Sequence, residues 1–573
     1  MSKRWLVIFS ILAVLLLSFV VCQKKGAQDF DILITNGVIV DGSGDNAYEG
    51  DIGIIGDTIA EIGDLTGKTA IKTIDAEGLV VSPGFIDIHT HCAEALWKVD
   101  ANANLNYLIQ GTTTVQTGPD GEGTFKIAEI KAKWENQGIG TNVIPLVGFG
   151  VARKEVMGVE ARKALSEEIE GMKEIIRQAM REGAWGMSIG LEYIPDRYAT
   201  TEEIIAVTKV VGEFGGIYHT HQRNEFDGVL EATKETVRIG EETGVRVHTT
   251  HFKVCGKNNW GKLKDAAKAI NDARTHGIQM TADIYPYEYP SGGPLISISK
   301  NAGWSCFRLP SDMEPFAELR KKMRDENLSN AEMEELKEMY IDELSKALSD
   351  KSKREKIKKS VLEGSPHDPS PLAISGWDSY GIVAAKKNTH LIGKIISDLA
   401  AEQNRDAFDI VADLVIDEPD IYTSCGVLSE NDVRDVMKYD WLMFCSDGYA
   451  VPIVKKTDIP ATAHPRAFGS QARVLRKYVR EEKVLTLENA IRKMTSLPAN
   501  LLQMKDRGLL KKGYKADVAI FDPETIRDNA TFDDAQRYST GTEYVIVNGK
   551  ISIENGKYSG ALNGKLLLST ENK

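Results

Sequence analysis

The chain has 573 residues, 42% of them hydrophobic and 27% charged, and a formal net charge of −13 at pH 7. That length suits a large domain with a smaller companion, and the balance is that of an ordinary globular protein. So acidic a chain argues against nucleic acid as a partner, since phosphate recognition needs a basic surface.

At the N-terminus, Lys3 and Arg4 precede an apolar run over residues 5–21, which ends at Cys22 and then Gln23, Lys24 and Lys25. A basic start and a short apolar core read as a secretory signal over 1–22, with a permanent membrane span as the second reading. Cys22 directly after the run predicts a bacterial lipoprotein signal, although Val21 stands where a small residue is usual. The protein is therefore expected outside the cytoplasm, in the periplasm or held to a membrane only by a lipid on Cys22. The other five cysteines, Cys92, Cys255, Cys306, Cys425 and Cys445, are odd in number and irregularly spaced, so no disulfide framework is readable. Cys92 and Cys255 are expected to be packing thiols.

Short strands follow at 31–37, 50–57 and 73–81, divided by Asn-Gly and Gly-Asp turns. A matching set lies at 516–522 and 543–549. Neither set builds a core alone, which predicts one β-sandwich assembled from 30–80 and 507–567. Between them, strands are predicted at 113–117, 142–148, 186–189, 216–221, 246–251, 279–285 and 441–445. Amphipathic helices are predicted at 166–182, 201–214, 229–243 and 263–276. This α/β alternation predicts a TIM-like (β/α)8 barrel over 81–506. A Lys/Glu-rich helical insertion interrupts it at about 310–363, with helices at 314–325 and 330–362; it reads equally as a solvated pair or a lid over the site.

The chemistry-bearing residues sit at the ends of predicted strands. The run from Ser82 ends in His89-Thr90-His91, and alternation along a strand lets the two imidazoles converge. Neutral imidazole is the commonest metal ligand. A second His-x-His, His219 and His221, ends the strand at 216–221, and His251 follows one strand–helix repeat later. His251 shares parity with Val245 and Val247, whereas His248 has the opposite parity and reads as structural. Parity does not separate His219 from His221, so His219 is a reserve ligand. Asp447 ends an apolar strand before Gly448. Asp-Gly is commonly only a turn, but opposite these histidines Asp447 reads as a metal ligand and general base.

Taken in order, several motifs resemble the amidohydrolase superfamily and, within it, the N-acyl-D-amino-acid deacylases (D-aminoacylases). They are Pro83 to His91, His221-x-Arg-Asn-Glu225, His251-x-Lys253, Asn259-Trp-Gly261, Asp283-x-Tyr-Pro-Tyr287, Ser446-Asp-Gly448 and His464-Pro-Arg466. The resemblance spans about Asp31 to Leu567. It implies a zinc site at the barrel mouth, with His221 and His251 on a tightly held ion and His89, His91 and Asp447 on a second, weaker position. It also implies that Lys253 and Arg466 hold a substrate carboxylate, with Tyr193, Tyr285 or Tyr287 lining the pocket. There is one departure. Many D-aminoacylases carry a metal-ligating cysteine in a Gly-Asn-Cys-Gly loop, where this chain, from Gly111 to Gly121, places Asp120. A carboxylate can bind or bridge zinc through oxygen; Glu122 is the reserve candidate.

The expected activity is zinc-dependent hydrolysis of a linear amide C–N bond, with an N-acyl-D-amino acid or a related small dipeptide-like amide as substrate. The alternatives are a dihydropyrimidinase-like cyclic amide hydrolase, or a non-catalytic, metal-holding binding lipoprotein. No lysine near a strand end is an obvious carboxylated bridge for the first, and the full His/His/His/His/Asp set weighs against the second.

Overall fold

The computed structural model describes residues 28–572 apart from 291–292, 297–306, 308, 310–312, 324–327, 366–367, 453–463 and 533. The signal-like segment with Cys22, and also Cys306, lie outside the described residues. Among the described residues no helix is long and apolar enough to cross a membrane.

The chain is a mixed α/β fold. Its functional half is built from short, fully buried parallel strands: β1 (Phe85–Asp87), β2 (Thr112–Thr117), β3 (Asn142–Pro145), β4 (Val147–Gly148), β5 (Gly186–Gly190), β6 (Ile217–His221), β7 (Arg246–Thr249), β8 (Met280–Ile284) and β9 (Leu442–Phe444). β1, β2 and β3 form one sheet, and β4 to β9 follow one another in a second. Only Leu146 separates β3 from β4, and a parallel bridge between Thr90 and Gly448 joins the segments that leave β1 and β9. Each strand is buried on both faces because helices cover one side and opposing strands the other. Met187, Tyr218, Val247 and Met280 face helices such as Ser166–Arg181, Thr201–Glu213, Val229–Thr243 and Leu263–Thr275 in the main core. Ile86, Ile144, Ile217 and Met443 pack in a second cluster.

A nine-stranded sheet takes strands from both chain ends. Val80–Pro83 of the N-terminal set pairs antiparallel with Val518–Phe521 of the C-terminal set, in the register Val81 to Ile520. Ile32, Ile34, Ile52, Ile54, Val518 and Ile520 fill its core. The expected strand at 73–81 is two, Ala70–Asp75 and Val80–Pro83, because Gly78 turns the chain at positive φ.

In the 310–363 stretch the structure has helices Phe316–Lys322, Asn330–Ser349 and Lys351–Glu363. The expected single helix over 330–362 is broken at Asp350, whose extended backbone and side chain cap the next helix by accepting the Lys353 N–H at 2.8 Å. Tyr340, Leu344, Ile357 and Val361 join Phe408, Ile410 and Val415 in a separate apolar core that also reaches Tyr285 and Tyr287.

Candidate metal centre

Turns at the strand ends set the site. After β2 the chain reverses through Gly118, Asp120 and Gly121, all at positive φ. Ser188 on β5 pins this turn, accepting the Gly121 N–H at 3.1 Å and donating to the Gly118 carbonyl at 2.6 Å. The Asp120 carboxylate is thereby buried at the convergence of the histidines. Its Oδ1 is 3.8 Å from His89 Nε2, and its Oδ2 is 3.7 Å from His91 Nε2 and 4.0 Å from His221 Nδ1. Asp447 enters from the opposite side, with Oδ1 at 3.1 Å from His91 Nε2 and 3.4 Å from His89 Nε2.

Ligand-type atoms of His89, His91 and Asp120 lie within 4.8 Å of one another, as do those of Asp120, His221 and His251, and of His89, His251 and Asp447. Asp120 therefore belongs to both histidine pairs. Both ring nitrogens of His89, Nε2 of His221 and Oδ1 of Asp120 are buried without a hydrogen-bond partner. Buried polar atoms normally find partners, so orphaned nitrogen and oxygen donors converging in one place fit a borderline cation such as zinc.

The electrostatics follow from this packing. Burial raises the Asp120 carboxyl, but the imidazoles of His89, His221 and His251 outweigh it and hold the group well below the usual carboxylate range. Burial likewise opposes ionisation of Asp447, and Arg466 and His89 reverse it. For His91 burial pulls downward, while Asp447 and Glu122 lift the ring to about 9.

Two buried cations stand beside the histidines. Lys253 Nζ is 2.5 Å from Glu225 Oε2 and 2.7 Å from His251 Nδ1, which itself lies 2.8 Å from Glu225 Oε1. Arg466 donates through Nη1 to Asp447 Oδ2 at 2.7 Å. Tyr285 lies between them, its ring centroid 5.0 Å from the Arg466 guanidinium and 5.9 Å from Lys253 Nζ. The Tyr193 hydroxyl is 3.3 Å from His221 Nδ1. Tyr287 is not gathered with these groups: its hydroxyl donates to the Pro465 carbonyl at 3.3 Å, and its ring packs on His464, Phe532 and Arg473. Glu122 stays at the rim, 3.6 Å from His91 Nδ1, with its side chain 61% exposed.

The structure gives different reasons for some placements than strand alternation does. β1 ends at Asp87 and β7 at Thr249, so His89, His91 and His251 project from the turns beyond. His251 has φ near +30°, outside any strand, and parity does not aim it. His219 lies one layer deeper than His221, with Nε2 at 3.0 Å from Gln116 Nε2 and 3.2 Å from the Ile88 carbonyl. His248 is pinned between Thr281 and Asp283 at 2.8 Å each. Cys92 and Cys255 are buried in apolar clusters. Sequence reasoning assigned no role to Glu225, Glu192 or Tyr449. Glu225 bonds His251 and Lys253, Glu192 lies 3.4 Å from His221 Nε2, and Tyr449 stacks on His91 with ring centroids 5.1 Å apart. Glu225 was visible as the carboxylate four residues after His221; the other two carried no comparable signal.

Comparison with known proteins shows what the whole chain is similar to. A family model described as "Amidohydrolase family" matches residues 72–284 and 433–553. A D-aminoacylase from Alcaligenes xylosoxydans xylosoxydans is 30% identical over 96% of this chain and 99% of its own length. A solved D-aminoacylase, described as having a binuclear metal centre with one-metal activation and second-metal attenuation, is 27% identical. It covers 94% of this chain and 100% of its own, with a TM-score of 0.71. The N-acyl-D-glutamate deacylase of Bordetella bronchiseptica was solved with zinc and a phosphonate mimic of the tetrahedral intermediate. It is 26% identical over 94% of this chain and 100% of its own, with a TM-score of 0.71.

Proposed function

The chain belongs to the amidohydrolase family, and from that membership we propose that it is a zinc-dependent deacylase of N-acyl-D-amino acids or closely related small amides. The observation that carries the reading is a carboxylate, Asp120, facing both histidine pairs, with two buried cations at the same mouth. The parallel strands are read as one eight-stranded (β/α)8 barrel, with β3 and β4 as a single interrupted strand and the Thr90–Gly448 bridge as its closure. The nine-stranded sheet is the companion domain, made from 30–80 and 507–567, and the 310–363 helices are an insertion.

Asp120, His221 and His251 would hold the tight ion, and His89, His91 and Asp447 a second position, with Asp120 shared. Zinc so held supplies a Lewis acid that polarises a carbonyl and acidifies water. Arg466 occupies Asp447 Oδ2, so Oδ1, which faces the histidines, would be the oxygen that accepts a proton and returns it to the leaving amine when the second position is empty. Lys253 and Arg466 supply charge-assisted donors for a substrate carboxylate, Arg466 offering a planar fork. Tyr193 and Tyr285 wall the space between. The apolar segment before Cys22 supports an extracytoplasmic, lipid-anchored location, which membrane fractionation of a Cys22→Ser variant checks.

The decisive measurement is hydrolysis of paired N-acyl-D- and N-acyl-L-amino acids by zinc-loaded protein. Release of amino acid from the D series alone is expected. An Arg466→Ala variant loses the Asp447 ion pair on every substrate, so kcat/KM should fall on acids and amides alike, with more than a further tenfold loss on the free acids. Failure to hydrolyse any N-acylamino acid refutes the reading, and equal losses on acids and amides remove Arg466 as the carboxylate's partner.

A further inference from the structure

Beneath the histidines lies a further acidic group that the mechanism above does not use. Asp283, on β8, is fully buried. Its Oδ2 is 2.8 Å from His248 Nε2. Its Oδ1 accepts the backbone N–H of His251 at 2.5 Å and the Cys445 thiol at 3.2 Å, and faces His89 Nδ1 at 3.7 Å. Among the described residues no lysine or arginine pairs with it. A carboxylate taken out of water costs several kcal/mol unless other groups compensate. The His248 ring and the donors around Asp283 must therefore offset that penalty.

What it touches gives the reason. Five separate segments carry candidate ligands to the centre, and Asp283 contacts three of them, those ending in His91, His251 and Asp447. On the first it faces the ring nitrogen of His89 that points away from Asp120 and Asp447, an atom that is buried and has no other partner. On the second it holds the N–H of a histidine kept at positive φ, a conformation that a non-glycine residue adopts at a cost. On the third it takes the thiol of Cys445, two residues before Asp447. A carboxylate behind a ligating imidazole fixes its tautomer and raises its basicity, and its loss typically weakens metal binding 10–100-fold.

We infer that Asp283 is a positioning residue of the metal centre, aiming His89 and His251 from below and setting His89 in the tautomer with the proton on Nδ1. The inference rests on the metal reading given above. Asp283→Asn keeps the shape and can still accept the His251 N–H, but removes the charge. Zinc affinity of this variant, measured by chelator competition, should fall at least tenfold, while the melting temperature of the metal-free protein stays within about 4 °C of wild type. In zinc-loaded wild-type protein labelled with ¹⁵N-histidine, His89 should carry its proton on Nδ1. Zinc affinity within threefold of wild type, or a lowered melting temperature with unchanged affinity, overturns the inference. An unprotonated Nδ1 on His89 does so too, and that measurement decides the matter if the variant does not fold. Wild-type protein that takes up no zinc instead overturns the metal centre itself, and this inference with it.

Discussion

Asp120 shows how much one side chain decides here. In the proposed site it would offer two oxygens, and its placement depends on a turn that Gly118 and Gly121 make possible and Ser188 pins. Two oxygens aimed at different histidine pairs suit a bridging role. Asp120→Ala should therefore abolish most zinc uptake, measured by elemental analysis. Glu122→Ala should retain it, because Glu122 is largely solvated at the rim. Equal retention by both would remove Asp120 as a ligand. Asp447 tests catalysis separately from folding. Asp447→Asn keeps the shape and the Arg466 contact through its remaining oxygen, but cannot take a proton at the working position. Turnover should fall by at least about 10²-fold, the lower range for general acid–base catalysis, with tight-site zinc still bound. Rates within a few-fold of wild type would exclude the general-base role.

The core strands were legible for a physical reason: they are short, largely uncharged runs, and burial on both faces leaves little room for charge. The segments holding His89, His91, His221, His251 and Asp447 could be placed from that pattern, since each follows such a run. The contacts of Asp283 and Tyr449 were not, because they join segments far apart in the chain. The break at Asp350 was hidden by helix-forming residues on both sides. Missed too was the joint between the nine-stranded sheet and the parallel strands. There Asp517 accepts from Asn548 N at 2.7 Å and Asn142 Nδ2 at 3.1 Å, and pairs with buried Arg507. Asn142 belongs to β3, so this one carboxylate ties together both halves. Asp517→Ala leaves the Arg507 charge buried and unpaired, and should cost about 3–5 kcal/mol. Denaturant unfolding checks the value; a loss under about 1 kcal/mol would mean that Arg507 finds another partner.

For the whole molecule, the floor of the fold has its own titration. Lys493, at the end of helix Leu487–Met494, is fully buried, and its ammonium donates to the Leu442 carbonyl at 3.1 Å and to the Tyr439 carbonyl. These contacts clamp the root of β9, the strand that carries Asp447 upward. Burial pushes Lys493 down to about 7, with Arg492 adding to the shift. Because the folded value lies below the unfolded one of about 10.4, the native state binds fewer protons than the unfolded state between them. The contribution of Lys493 therefore rises with pH across that window, by up to about 1.4 kcal/mol per pH unit, and is lost as pH falls toward 7. Lys493→Met carries no proton and lacks this slope, although it also gives up two hydrogen bonds. The stability advantage of wild type over Lys493→Met should therefore grow from pH 7 to pH 10 and shrink or reverse near pH 6. Parallel urea titrations at three pH values measure it. A difference that stays constant with pH would mean that the two carbonyls hold the ammonium charged throughout, and that the root of β9 is clamped by a permanent cation.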